Sequence, residues 1–140
     1  MQKKLLFIFL SLFALSCTET ISEEKLVLLN GYWEIEKVIF SDGSTKEYKV
    51  NQVIDFIKME YLKGYRKKMK PNFNGTYTTS DDADNFTIKN TQDGYEILYE
   101  DNFGGRTEKL KAISKDHFSV SNSENITYTY KRYIPINIPK

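Results

Sequence analysis

Apolar and polar positions divide the chain into three regimes. It opens with an apolar run from Leu5 to Leu15 that only Ser11 interrupts. A polar stretch follows, Thr18 to Lys25 (TETISEEK), with no core-forming pattern. From Tyr32 onward, short runs rich in Tyr, Phe, Ile, Val and Thr are separated by turn-forming clusters: Ser41 to Ser44, Asp81 to Asp84, Gln92 to Gly94, Asn102 to Gly105, Ser114 to Asp116 and Ser121 to Asn125. Aromatic and β-branched residues suit a pleated, half-buried surface, and turns at this spacing favour neighbouring antiparallel strands. Alternation with period two places Trp33, Ile35 and Ile39 on one face of the first strand; Tyr95, Ile97 and Tyr99 share a face later, as do Phe118 with Val120, and Ile126, Tyr128 and Tyr130. The pattern predicts an all-β domain over 30–133, an antiparallel up-and-down barrel of eight to nine strands. Residues 134–140 carry two prolines among isoleucines, and proline cannot donate to a central ladder, so they read as an extended tail that packs on the barrel or docks onto a partner.

Residues 49–69 admit two readings. Val50, Val53, Ile54, Ile57, Tyr61, Tyr65 and Met69 fall near helical spacing. Gly64 in a helix interior would cost about 1 kcal/mol, and the surrounding pattern is that of strands, so the expectation is strands.

Composition narrows the class. The chain is 40% hydrophobic, 28% charged and 14% aromatic, which fits a globular domain and argues against disorder, collagen-like repeats or a polytopic membrane protein. A formal charge of +1 becomes −1 once Lys3 and Lys4 leave with a signal peptide, so no electrostatic footprint for nucleic acid is present. The single cysteine, Cys17, excludes internal disulfides and cysteine-rich zinc modules. Dense charge in Tyr65 to Lys70 and Arg106 to Lys111 argues against a lipid-facing row of a transmembrane barrel.

The N-terminus has the parts of an export signal. Lys3 and Lys4 precede an apolar run of eleven residues, too short for the roughly 20 needed to cross a bilayer. Ala14-Leu15-Ser16-Cys17 resembles the lipobox of bacterial lipoproteins, which implies acylation of the Cys17 thiol and cleavage before it. On this reading 1–16 is a lipoprotein signal peptide. Residues 17–29 are the lipidated cysteine and a flexible tether, with a reach of roughly 40 Å. Thr18, rather than Asp, follows the cysteine and favours the outer membrane of a cell envelope over inner-membrane retention.

A second resemblance covers most of 30–133. Gly31-Tyr32-Trp33 opens the first strand and Tyr128-Thr129-Tyr130-Lys131-Arg132 runs through the last. These resemble the lipocalin arrangement, G-x-W in the first strand with a basic residue of the closing strand over the indole. Asp55-Phe56, Gly64 to Pro71 and Gly75-Thr76-Tyr77 further resemble small lipocalin-like bacterial lipoproteins. The resemblance implies a barrel with Trp33 at its closed end and Arg132 capping the ring, a structural pair.

Candidate chemistry is sparse. Lys63, Arg66, Lys67, Lys68 and Lys70 concentrate positive charge, with Arg66, Lys68 and Lys70 on one face of a strand and Tyr65, Lys67 and Met69 on the other. They read as contacts for an anionic group or as a solvated strand face beside Asp81, Asp82 and Asp84. The acidic run lacks EF-hand spacing and reads as a polar turn. His117 is the only histidine, and no nucleophile motif accompanies it, so neither catalytic residues, a metal site nor a cofactor is expected. Behind the signal the chain keeps ten Tyr, and buried tyrosine needs a partner for its hydroxyl, which suits a cavity. Tyr65, Tyr77, Tyr95, Tyr99, Tyr128 and Tyr130, with Arg66, Lys68 and Lys70, are the candidate ligand or anion contacts. Two non-enzymatic functions follow. One is a membrane-anchored barrel holding a small apolar or amphipathic ligand. The other is a filled barrel that docks an envelope partner through the basic strand or the tail.

Overall fold

The computed structural model describes residues 19–101 and 104–135. The signal segment, Cys17 and residues 136–140 lie outside the described residues. Ten strands follow a short 3-10 helix, Glu23–Leu29: β1 (Gly31–Ile39), β2 (Thr45–Glu47), β3 (Ile54–Glu60), β4 (Lys63–Pro71), β5 (Tyr77–Thr79), β6 (Asp84–Thr91), β7 (Gly94–Glu100), β8 (Arg106–Ile113), β9 (His117–Ser121) and β10 (Thr127–Arg132). Eight of them form the antiparallel circuit β1-β3-β4-β6-β7-β8-β9-β10, closed by β10 pairing back onto β1. Closure leaves this sheet without a free edge. The short β2 and β5 pair with the far halves of β1 and β4, beyond the stretches that bond β3 and β6, and account for the strands above the expected eight to nine.

Residues 49–69 supply β3 and most of β4, in strand form. At their crossing Gly64 faces Met59, and a Cβ there would press into the Lys58 carbonyl and the Met59 backbone, so the close strand contact requires glycine. The turn between them places Tyr61 and Leu62 at φ 52° and 69°, both in the left-handed region.

Two bulges reset the alternation. In β1 the register slips between Ile35 and Lys37, so Glu36 is the extra residue and the inward side passes from Ile35 to Val38. Val38 is therefore buried and Ile39 is not, which corrects the expected set Trp33, Ile35, Ile39. A similar slip between Leu110 and Ala112 brings Ile113 inward beside Phe118. In β7, where no bulge intervenes, Tyr95, Ile97 and Tyr99 alternate cleanly into the core.

The tether ends sooner than expected. Leu26 and Leu29 of the 3-10 helix are 1% exposed and join the core under the barrel, so Glu23–Leu29 belongs to the domain. Burying two leucines contributes about 3–6 kcal/mol by area towards ordering this segment. Trp33 lies above them, fully buried, and its Nε1 donates to the Leu29 carbonyl at 2.7 Å.

Candidate functional site

The two barrel ends differ because the inward residues differ. At the lower end the Arg132 guanidinium lies 3.7 Å from the Trp33 ring and donates to the carbonyls of Asn30 (2.7 Å), Leu28 (3.0 Å) and Lys115 (2.9 and 3.1 Å). Gly31 makes this possible: its φ of 122° and missing side chain leave room where a Cβ would come within 2.6 Å of Arg132 Nη1. The spacing of the G-x-W triplet thus has a steric cause, one residue opening space for the cation and the next but one supplying its ring. Above Trp33, Phe118 meets the indole edge-on at 4.7 Å and stacks on Tyr130 at 4.7 Å, and the Arg66 guanidinium covers Tyr130 at 4.8 Å. A column of three rings, Trp33, Phe118 and Tyr130, capped by Arg132 at one end and Arg66 at the other, therefore fills the barrel interior below the mouth.

The upper half of the interior is ionic. Arg66 is 5% exposed and Asp55 3%, with Arg66 Nε 3.1 Å from Asp55 Oδ1 and Nη2 3.0 Å from Oδ2. Arg66 Nη1 donates to the Tyr99 hydroxyl at 3.3 Å and lies 3.8 Å from Glu108 Oε2. Lys68, mostly exposed, reaches down to Asp55 Oδ1 at 2.7 Å. Arg106 covers the Tyr99 ring at 3.9 Å, pairs with Asp84 at 3.1 Å and approaches Glu108 Oε1 at 3.9 Å. Burial alone would raise the Asp55 carboxyl, but the charge and hydrogen bonds of Arg66 and Lys68 outweigh it and hold the group below its ordinary value. Burial pushes the Tyr99 phenol up to about 12 against the opposing pull of Arg66, and it raises Tyr130 in the same way.

Above this layer lies an open cleft of about 580 Å³, lined by Arg106, Glu108, Asn122, Glu124, Tyr128 and Tyr130 among others. Its position follows from parity and a turn. Glu108 shares the inward face of β8 with Leu110, and Tyr128 and Tyr130 share that of β10. The rim is the β9–β10 turn, held by Asn122, whose Oδ1 accepts from the amides of Glu124 and Ile126 at 3.0 Å each, with Asn125 at φ 58°. One floor atom stands out: Glu108 Oε2 is buried and has no hydrogen-bond donor among the described residues.

The residues expected to meet a ligand are divided by the fold. Tyr128 and Tyr130 line the cleft, with Tyr99 and Arg66 directly beneath. Tyr95 is buried in the core, away from the lining of the mouth. Tyr77 and Tyr65 lie on the outer face, where Tyr77 stacks on Tyr32 at 4.8 Å, Tyr32 packs on Phe56, and Phe56 neighbours Tyr65 at 6.1 Å. The basic run does not form one anion-binding face: Arg66 is committed to Asp55 inside the barrel, Lys68 leans onto the same carboxylate, and Lys70 borders a different depression. That outer groove, about 550 Å³, lies between the β4–β5 hairpin and residues 49–52 and includes Phe73, Tyr77, Tyr133, Ile134 and Pro135. The tail thus lies against the outer wall as far as Pro135.

Asp55, Glu108 and Arg106 escaped sequence reasoning. The available signal was a charged residue at an inward position: Asp55 keeps step with Ile57, and Glu108 with Leu110. His117 is exposed and pairs with Glu36 at 3.3 Å on the outside of the barrel. Among the described residues no group of three His, Cys, Asp or Glu side chains is placed to hold a metal, and no helix is long and apolar enough to cross a membrane.

Among solved structures, a lipocalin-like protein from Bacteroides uniformis ATCC 8492 is similar to this chain at 13% identity and a TM-score of 0.47, over 76% of this chain and 99% of that one. An uncharacterized protein from Bacteroides eggerthii DSM 20697 is similar at 17% identity and a TM-score of 0.47, over 75% and 99%. No protein-family model and no curated protein matches the chain.

Proposed function

We propose that this protein is a non-enzymatic, lipocalin-like binding module, anchored to the outer membrane through an acylated Cys17, that takes a small amphipathic ligand at the mouth of its barrel. The observation that carries the reading is the cleft above Tyr130. It is open to solvent, has two tyrosine rings in its wall and ends on a buried carboxylate oxygen without a donor. The filled lower half argues for a ligand seated in the mouth rather than one swallowed lengthwise. The lipobox-like Ala14 to Cys17 supports the anchor, and the spacer it leaves is short, because Ile21 already packs against the core.

Native mass spectrometry of the chain from residue 17, carrying Cys17→Ser, before and after organic extraction, tests the binding reading. A discrete extractable mass near one-to-one occupancy is the expected result. A bare protein mass, with no displacement of apolar fluorophores by any extract, contradicts it. Metabolic labelling with a fatty acid tests the anchor, and label that persists in Cys17→Ser would overturn it.

The outer groove favours a second reading. Phe73 is 96% exposed and Val50 87%, unusual for large apolar side chains beside one depression, and such a patch suits a protein partner in the envelope.

A further inference from the structure

We propose that the head group accepted at the barrel mouth is a protonated amine, held on the Glu108 carboxylate; this rests on the reading of the cleft as the ligand site and adds the chemistry of what it selects. Glu108 lines the cleft while only 9% exposed, and its Oε2 accepts no hydrogen bond among the described residues. A buried carboxylate oxygen without a donor is a costly arrangement, the kind that a bound group relieves.

The neighbouring cations do not fill this role. Arg66 Nη1 and Arg106 Nε lie 3.8 and 3.9 Å from the Glu108 oxygens, beyond hydrogen-bond reach. Each guanidinium has a closer carboxylate of its own. Arg66 takes Asp55 at 3.0 and 3.1 Å, and Arg106 takes Asp84 at 3.1 Å. Lys68 also goes to Asp55, at 2.7 Å. The three cations thus spend their hydrogen bonds on Asp55 and Asp84; their charge also balances that of Glu108, but its Oε2 receives no donor among the described residues. The rim adds a second carboxylate, Glu124, together with Asn122 and the Tyr128 ring.

With Arg106 and Arg66 set against Glu108, the rim carboxylate Glu124 is the charge in excess, so the cleft presents an unused acceptor and one net negative charge to an incoming group. A ligand carboxylate or phosphate would add a further negative charge beside Glu108 and Glu124. A hydroxyl could donate once without balancing the charge. An alkylammonium donates up to three hydrogen bonds, balances the charge and places its first carbons against the tyrosine rings. This reverses the anion-binding role that Arg66 and Lys68 suggest in the sequence.

The test is calorimetric titration of the chain from residue 17, carrying Cys17→Ser, with octylamine, octanol and octanoate at pH 7. Octylammonium should bind at least about tenfold more tightly than octanoate, with octanol between them. Glu108→Gln should weaken octylammonium by about tenfold while moving octanol by less than about threefold. Glu108→Asp keeps the charge on a shorter arm and should retain the order of preference, which separates loss of charge from a repacked floor. Octanoate binding as tightly as octylammonium, or a preference that Glu108→Gln leaves unchanged, overturns the amine proposal alone. Failure of all three compounds to bind overturns the cleft reading and the proposal with it.

Discussion

The guanidinium of Arg66 spans both carboxylate oxygens of Asp55 inside the barrel, at 3.1 and 3.0 Å, where neither residue meets bulk water. The two sit diagonally across β3 and β4, since Asp55 is opposite Lys68 and Arg66 is opposite Ile57. Removing one partner leaves the other charged, buried and unpaired, whereas replacing both with apolar residues of similar volume removes the desolvation cost on each side. Asp55→Ala should therefore cost about 3–5 kcal/mol of stability, and Asp55→Leu combined with Arg66→Met considerably less. Urea unfolding of the single and paired variants reads this directly; simple addition of the two losses would show that the pair is not coupled.

The same pair sets the acid limit. The folded-state Asp55 carboxyl lies below its ordinary value of about 3.9, so its contribution to stability is complete above that pH and is lost as pH falls through the folded value. Thermal midpoints should decline below about pH 4, and Asp55→Asn should flatten that limb. An acid limb of equal steepness in Asp55→Asn would assign it to other carboxylates.

Arg132 holds the closed end by joining three carbonyls from two distant segments to the Trp33 ring. Arg132→Ala should cost about 2–4 kcal/mol, through lost charge-assisted hydrogen bonds and the cation–π contact. Lysine should recover only part of this, because a single ammonium cannot reach Leu28, Asn30 and Lys115 together. Denaturation followed by Trp33 fluorescence measures both variants.

Tyr61 is 90% exposed at φ 52°, in a two-residue hairpin turn that asparagine enters at lower cost. Tyr61→Asn should raise stability by about 0.5–1 kcal/mol. Leu62 shares the strain but packs against the core, so a glycine there should give no net gain. A destabilised Tyr61→Asn would place hidden packing on the tyrosine ring.

The sequence disclosed the parts of the fold that depend on local pattern. Tyr95, Ile97 and Tyr99 alternate inward because β7 is regular, and Gly31-x-Trp33 with Arg132 marks the closed end because sterics tie the three together. It did not disclose the bulge at Glu36, since an extra residue leaves no mark in composition, and so Ile39 took the place of Val38. Leu26 and Leu29 were hidden by the polar residues before them, which made a structural helix look like tether. Arg66 looked like surface charge for a deeper reason. Its partner Asp55 lies diagonally across the β3–β4 hairpin and Glu108 on β8, which only the curling of the sheet into a barrel brings beside it. Tyr65 and Tyr77 illustrate the converse, because aromatic content does not say which side of the wall a ring occupies.

On this reading the barrel mouth, rather than the outer groove, receives the ligand. Amide chemical-shift mapping of the isotope-labelled chain from residue 17, carrying Cys17→Ser and titrated with octylamine at pH 7, tests it most directly. Saturable shifts centred on Glu108, Asn122, Tyr128 and Tyr130 are expected. Shifts confined to Val50, Phe73, Tyr77 and Tyr133, with the mouth unmoved, would contradict it.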